Sequence, residues 1–263
     1  MKKTMKNMLA VLSVLAVAGS ASASIWSGAV DDDWDTVGNW DAAPVPGSAV
    51  TIDTVGAVVN KYAGNDATGL GTMAVDNGDL NIYGAIAGGS QTIGNGVGDV
   101  GTITVMSGDG SFGGWNSLAT WDFTLADGGG NGTLVNNGGT IHAYGNWFNV
   151  AAWGGTALVQ LNAGHLIVEA ANFYVGAGGV IDLAGGTFAI AGSRLGDLAG
   201  LIDSGGLTSY GNNYAGNYAA GFAWDEVTNP GYTTITAIPE PATLSMVALL
   251  GGGMLWIRKR FKS

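Results

Sequence analysis

The stretch that decides the fold is GTLVNNGGTIHAYG, residues 132–145, in which two alternating apolar strands flank a turn of asparagine and glycine. Alternation with a period of two directs one set of side chains inward and the other toward water. Glycine and asparagine supply the left-handed conformations that such turns need. Similar units recur along the chain and start at Gly71, Gly101, Gly132, Gly155 and Gly179. One unit cannot bury its apolar face alone, but stacked units can.

A third short strand follows several of these units, as in QTIG from Gln91, NWFNVAA from Asn146 and NFYVG from Asn172. The sequence therefore predicts an all-β body, a right-handed parallel β-helix (solenoid) of five to six coils. The units resemble the repeats of autotransporter-like and PEP-CTERM β-helix proteins. An antiparallel β-sandwich also contains many short alternating strands and is the alternative fold.

Residues 1–23 have the three parts of a secretory signal peptide. Basic residues at the start precede an apolar run over residues 8–18, and the small residues Ala21 and Ala23 mark a cleavage site before Ser24. We expect signal peptidase to remove this signal helix, so that the mature chain begins at Ser24 and is exported.

Residues 237–263 form a second targeting segment, which begins with Pro239-Glu240-Pro241 and ends with Arg258-Lys259-Arg260. The apolar run between them, residues 242–257, would extend about 24 Å as a helix, against a bilayer core of about 30 Å. This predicts a transmembrane helix that anchors the chain transiently, with its basic end in the cytoplasm. The layout resembles the PEP-CTERM sorting signal. That resemblance implies transient anchoring in the inner membrane, recognition by an exosortase, a membrane protease, and release to the cell surface or extracellular matrix.

The remaining sequence divides into three parts. Residues 24–60 carry Trp26, Trp34 and Trp40 and are predicted to form an N-terminal aromatic cap, because bulky aromatics can close the open end of a solenoid. This segment resembles the tryptophan- and proline-containing opening of many exported bacterial β-helix proteins. Residues 61–192 hold the repeats, and residues 193–236 form a C-terminal cap.

The charge of the mature body limits its partners. Between Ser24 and Ile238 there are 19 acidic residues and only two basic ones, Lys61 and Arg194, a net charge of −17. Such a body lacks the basic footprint of a nucleic-acid-binding protein and suits neutral, cationic or metal-bridged partners. The chain has no cysteine, which excludes disulfides and thiolate chemistry.

The acidic run Asp31-Asp32-Asp33 with Asp35 raises the question of Ca²⁺, which prefers hard oxygen ligands. The spacing of an EF-hand loop is absent, and no bidentate glutamate follows. We therefore interpret the run as a solvated acidic turn and predict no metal ligand and no required cofactor. A Ca²⁺ site is the alternative.

No residues stand out as catalytic. Lys61 and Arg194 lie at opposite ends of the repeats, and the two histidines, His142 and His165, each lie within an alternating strand. Glycoside hydrolysis uses two carboxylates about 5–9.5 Å apart, and the sequence shows no such pair at a fixed spacing. The sequence predicts a protein that is not an enzyme. A carbohydrate-active β-helix enzyme is the alternative.

Two pairs of tryptophans share the spacing W-x₅-W: Trp115 with Trp121, and Trp147 with Trp153. The second pair follows the first by an offset close to the local repeat, which predicts two rows of stacked rings with Phe173 extending the first row. The rings could stack only on one another at a coil corner. They could also form a platform for sugar rings, which favours a non-enzymatic surface or matrix protein that associates with exopolysaccharide or neighbouring cells. A purely structural surface protein without a specific ligand is the remaining alternative.

Overall fold

The computed structural model describes residues 23–63, 67–106, 117–120, 122–126 and 128–239. About half of the chain, 53%, is β-strand, and the strands wind into a solenoid of about seven turns with few helices. The strands in these ranges are β1 (Ser24–Ile25), β2 (Val50–Lys61), β3 (Ala67–Leu70), β4 (Met73–Ile82), β5 (Ala85–Gly88), β6 (Gln91–Ile93), β7 (Val100–Val105), β8 (Ser117–Thr120), β9 (Phe123–Leu125), β10 (Asn131–Ala143), β11 (Trp147–Val150), β12 (Thr156–Val168), β13 (Asn172–Val175), β14 (Gly179–Leu183), β15 (Thr187–Ala191), β16 (Leu207–Ser209), β17 (Phe222–Asp225) and β18 (Tyr232–Ala237). Two short helices follow the repeats, α1 (Leu195–Ser204) and α2 (Tyr218–Gly221).

Each complete coil contributes one strand to each of three faces, and the partial coils at the two ends contribute β1 to face 1 and β16 to face 2. Face 1 consists of β1, the first halves of β2 and β4, β6, β9, β11 and β13. Face 2 consists of the second halves of β2 and β4, β7, the first halves of β10 and β12, β14 and β16. Face 3 consists of β3, β5, β8, the second halves of β10 and β12, and β15.

All pairings within these faces are parallel, and between described strands only β15–β18 and β17–β18 are antiparallel. The parallel ladder confirms the solenoid and rules out the antiparallel sandwich as the body of the protein. It contains about seven turns rather than the predicted five to six.

The interior consists of columns in which equivalent residues of successive coils stack. On face 2 one column is completely buried and has one member in each coil: Val59, Leu80, Ile103, Leu134, Val159, Ile181 and Leu207. On face 1 an aromatic column contains Phe123, Phe148 and Phe173, with ring centroids 5.6 and 5.9 Å apart. Burial of these columns supplies the main stabilisation of the fold.

The repeat units do not all begin on the same face. Gly101 pairs with Gly78, not with Gly71, so the unit from Gly71 begins on face 1, whereas the unit from Gly101 begins on face 2. Glycine is needed near the start of these face 2 strands because its Cα lies close to a main-chain oxygen of a face 1 strand. A Cβ on Gly101 would lie 1.9 Å from the main-chain oxygen of Val75, and one on Gly132 would lie 2.6 Å from that of Ile93.

The first residues of the described chain bury three tryptophans. Trp26 and Trp34 both pack edge to face on Trp40, with centroids 4.9 and 4.8 Å apart. Lys61, at the end of β2, is also completely buried, and its Nζ lies 3.1 Å from Asp35 Oδ2.

The other end of the described solenoid is covered by α1 and by the β17–β18 hairpin. Leu198 and Ile202 of α1 are completely buried, and Gly205, with φ of 79°, ends the helix in the left-handed conformation. β18 pairs with β15 in the antiparallel direction and so completes face 3.

Residues 1–22 of the predicted signal peptide (1–23) and residues 240–263 of the predicted sorting tail (237–263), including its apolar run 242–257, lie outside the described residues. Among the residues that the structure describes, no helix is long and apolar enough to cross a membrane.

Candidate functional site

An open cleft of about 600 Å³ runs across the outer surface of face 1, between β6 and β13. We call it the aromatic cleft, and its lining residues are Ser90, Asp122, Thr124, Trp147, Asn149, Ala152, Trp153 and Tyr174. Adjacent parallel strands are about 4.8 Å apart, so the four strands that it crosses extend about 14 Å along the solenoid axis.

The strand alternation determines which side chains reach this cleft. In β11, Phe148 and Val150 point into the core, and Trp147 and Asn149 therefore point outward. In β13, Tyr174 lies beside Asn149 in the ladder and is likewise directed outward. Large aromatic surfaces are left in water, because Trp147 is 42%, Tyr174 50% and Trp153 76% exposed.

Trp153 comes from the turn that connects face 1 to face 2. This turn begins at Ala151, which has a positive φ of 55°, and includes Gly154, with φ of 100°. A left-handed alanine is strained by roughly 1–2 kcal/mol. The turn is therefore held by its surroundings, including the hydrogen bond that the Ala151 N–H donates to the Leu125 carbonyl at 2.8 Å.

Asp122 fixes the start of β11. Its Oδ1 accepts hydrogen bonds from the backbone N–H groups of Asn146 and Trp147, both at 2.9 Å. The Ser90 hydroxyl donates a longer bond to Asp122 Oδ2, at 3.4 Å. One carboxylate thus links three successive coils and positions the Trp147 backbone.

Trp147 and Trp153, two of the four predicted platform residues, line the same cleft. The other two, Trp115 and Trp121, lie outside the described residues. The predicted offset, which would bring Trp115 beside Trp147, does not match the strands around them, since Ser117 pairs with Thr140 and not with Asn149.

The remaining part of the predicted row is wrong. Phe173 does not extend the outer row of Trp147, because it pairs with Phe148 and stacks on that ring on the inner side of the sheet, where it is partly buried. The outward residue of that strand is Tyr174. Sequence reasoning missed both Tyr174 and Asp122, although the alternation of NFYV, with Phe173 inward, carried the signal for Tyr174.

Three of the other candidate residues of the sequence are engaged in structural contacts. Lys61 pairs with Asp35, Arg194 Nη1 lies 3.1 Å from Asp197 Oδ2, and His142 Nε2 lies 3.0 Å from Glu169 Oε2. His165 is exposed on face 3 and lines a separate, smaller pocket.

The acidic run is organised by hydrogen bonds within the protein. Asp31 accepts bonds from the Asp33 N–H and the Asn39 side-chain amide, and these bonds lower the pKa of Asp31. Asp32 accepts a bond from the Asn60 side chain at 2.7 Å. Within the described ranges, no group of three or more histidine, aspartate or glutamate side chains is arranged to hold a metal ion.

Three of the residues named for processing and sorting lie at the edges of the described chain. Ala23 is the first residue described, Ser24 begins β1, and Pro239 is the last residue described after β18. The others lie outside it: Ala21, Glu240, Pro241, Arg258, Lys259 and Arg260.

No family model, curated protein or solved structure matches this chain.

Proposed function

We propose that this chain is an exported, non-enzymatic surface or extracellular-matrix protein that binds polysaccharide in the aromatic cleft. The observation that carries the proposal is the exposure of Trp147, Trp153 and Tyr174 along one open cleft. Sugar rings pack their apolar faces on aromatic side chains, and the hydroxyl and amide groups that line the same cleft can bond to sugar hydroxyls.

The cleft also argues for binding without hydrolysis. Asp122 is the single carboxylate among its described lining residues, and both of its oxygens accept hydrogen bonds from the protein. Glycoside hydrolysis generally uses a pair of carboxylates, one as acid and one as base or nucleophile.

The proposal includes export and sorting. Its support is the sequence alone: the signal peptide before Ser24, and the proline-containing motif, apolar run and basic end after Ile238. In this proposal an exosortase-type protease recognises the tail, and the solenoid reaches the cell surface or the matrix. We also propose a right-handed solenoid, because parallel crossover connections are right-handed in about 98% of cases.

Glycan binding is tested by measuring the affinity of the purified protein for a panel of soluble polysaccharides by calorimetry. We expect saturable binding that the double variant Trp147→Ala/Trp153→Ala weakens about tenfold, since each aromatic contact contributes about 0.5–1.5 kcal/mol beyond burial. Trp224→Ala is the matched control, because Trp224 is also partly exposed but lies on the β17–β18 hairpin, outside the cleft.

Unchanged affinity of the double variant would contradict the proposal. New reducing ends during the incubation would favour the carbohydrate-active enzyme instead. A complete lack of binding across the panel would favour a structural protein without a ligand.

A further inference from the structure

Asp122 is held in the aromatic cleft in a way that leaves one oxygen less satisfied than the other. Oδ1 accepts two backbone N–H bonds at 2.9 Å, whereas Oδ2 accepts a single, longer bond from the Ser90 hydroxyl at 3.4 Å among the described residues. A carboxylate oxygen can accept two hydrogen bonds, so Oδ2 retains capacity for a donor from a ligand. Because Oδ1 is tied to the start of β11, the position of Oδ2 is fixed before any ligand arrives.

The residues around Asp122 suit a positively charged donor. Ammonium groups are attracted to the faces of tryptophan and tyrosine rings, and hydrogen bonds between an ammonium and a carboxylate are about twice as strong as neutral ones. Trp147, Trp153 and Tyr174 provide such rings in the same cleft. No lysine or arginine is among its described lining residues, so no cation of the chain competes there.

The charge of the whole body acts in the same direction. A net charge of −17 between Ser24 and Ile238 attracts cations and repels acidic polymers at a distance. The cleft therefore combines a fixed carboxylate, aromatic faces and a negative surrounding field.

We propose that the aromatic cleft recognises the protonated amine of a deacetylated amino sugar within a polysaccharide, with the ammonium bound at Asp122 and the sugar ring packed on tryptophan. The inference rests on the proposed function of this cleft as a glycan site and specifies the class of glycan. A polysaccharide fits better than a lysine-rich peptide, because Ser90, Thr124 and Asn149 supply hydroxyl and amide groups over a length of several sugar units.

The test compares oligosaccharides of one length, one fully deacetylated (chitosan) and one fully N-acetylated (chitin), at a pH at which the free amine is protonated. The purified full chain is titrated with each by calorimetry, and oligolysine is titrated in parallel. A charge-assisted hydrogen bond is stronger than a neutral one, so we expect the deacetylated oligomer to bind at least about tenfold more tightly than the acetylated one. We also expect this preference to weaken at high salt.

Asp122→Asn isolates the role of the charge. The amide oxygen can still accept the bonds from Asn146 and Trp147, so the cleft keeps its shape while the negative charge is lost. We expect this variant to bind the deacetylated oligosaccharide more weakly than the unchanged protein does, with about the affinity that it has for the acetylated one. Asp182→Asn is the matched control, because Asp182 also accepts bonds from the next coil, from Thr208 and Gly211, but lies on face 2.

Each result has a distinct meaning. Equal binding of the two oligosaccharides by the unchanged protein would overturn the amino-sugar inference and leave the glycan-binding function standing. Binding of neither oligosaccharide, together with no binding of the polysaccharide panel, would overturn both. Oligolysine binding as tight as that of the deacetylated sugar would also overturn the inference, since the cleft would then recognise a cation without the sugar.

Discussion

Asp76 is a single residue whose ionisation opposes folding. It follows the face 1 part of β4, and partial burial raises the pKa of its carboxyl, with smaller contributions from the negative charges of Asp99 and Asp53. A carboxyl whose pKa is higher in the folded than in the unfolded protein stabilises the fold when protonated, below the unfolded pKa. That contribution is lost as the pH rises through the folded pKa.

Replacement of this carboxyl by an amide is therefore predicted to stabilise the protein at neutral pH. Asp76→Asn removes the buried charge and keeps an acceptor for the Asn95 backbone N–H, so we expect a higher melting temperature than that of the unchanged protein at pH 7. The two melting temperatures should converge at acidic pH, where Asp76 is protonated. Thermal unfolding followed by circular dichroism across this pH range measures both.

Asp225→Asn provides a control of opposite sign. Hydrogen bonds from Thr228 and Val227 lower the pKa of Asp225, so its ionised form stabilises the fold above the unfolded pKa. This variant should be slightly less stable at pH 7. A gain in stability for Asp225→Asn, or none for Asp76→Asn, would contradict the assignment of these two carboxylates.

Only some residues of the cleft could be predicted from spacing in the sequence. Trp147 and Trp153 were predicted because the sequence repeats the spacing W-x₅-W. Asp122 was not, because its role depends on the true register between coils, in which Asp122 precedes Phe123 and Phe123 pairs with Phe148. Tyr174 was missed although the alternation of its own strand carried the signal. The predicted offset was the number of residues between Trp115 and Trp147, chosen because both are tryptophans. It is longer than the offset from Phe123 to Phe148, which are true neighbours in the parallel ladder.

The aromatic column of face 1 is the element on which β9, β11 and β13 depend most. Phe148 is completely buried between Phe123 and Phe173, with nearly parallel rings on both sides. Phe148→Ala should reduce the free energy of unfolding by about 3–5 kcal/mol, since it removes buried surface and leaves a cavity in the column. Denaturant unfolding measures this loss.

A matched truncation outside the core separates this effect from that of aromatic loss in general. Tyr174→Ala, on the outer side of the neighbouring strand, removes a ring that is half exposed and should change stability by less than about 1 kcal/mol. Similar losses for both variants would show that the column does not carry the stability assigned to it.

At the level of elements, the strands could be predicted and α1 could not. The alternating apolar pattern and the corner glycines are local, so they were visible without a structure. In LGDLAGLIDS, residues 195–204, the spacing between Leu198 and Ile202 is helical, and Gly205 marks the end. Two glycines inside this segment lower its helix propensity, so the sequence did not predict a helix. Packing against β16 offsets that cost in the folded protein.

The charge of the whole molecule predicts how its stability responds to salt. Among the described residues, lysine and arginine form only the pairs Lys61–Asp35 and Arg194–Asp197, so repulsion between the many carboxylates dominates. Raising the ionic strength from about 0.01 M to 0.15 M shortens the screening length from about 30 to 8 Å and should raise the melting temperature. A constant or falling melting temperature over this range would contradict the prediction.

The sequence predicted five to six coils and the structure has about seven, because the coils at the two ends lack a recognisable repeat unit. The first coils carry no recognisable unit that starts with glycine and threonine on face 2, and the last contains only the short strand β16 on that face. Their membership in the stack depends on parallel pairing with a neighbour, which is a property of the whole molecule and leaves little trace in their own sequence.

The reversed direction of β18 determines where this architecture can grow. A parallel coil can add only to an edge that runs in its own direction and register, and β18 occupies that edge of face 3 with a strand of opposite direction. Extra copies of a middle coil could thus be inserted between β10 and β12 to make a longer protein with a longer outer surface. Copies added after β15 would find no free parallel edge on face 3, because β18 occupies it. The architecture therefore allows added coils in the middle of the solenoid and not after β15.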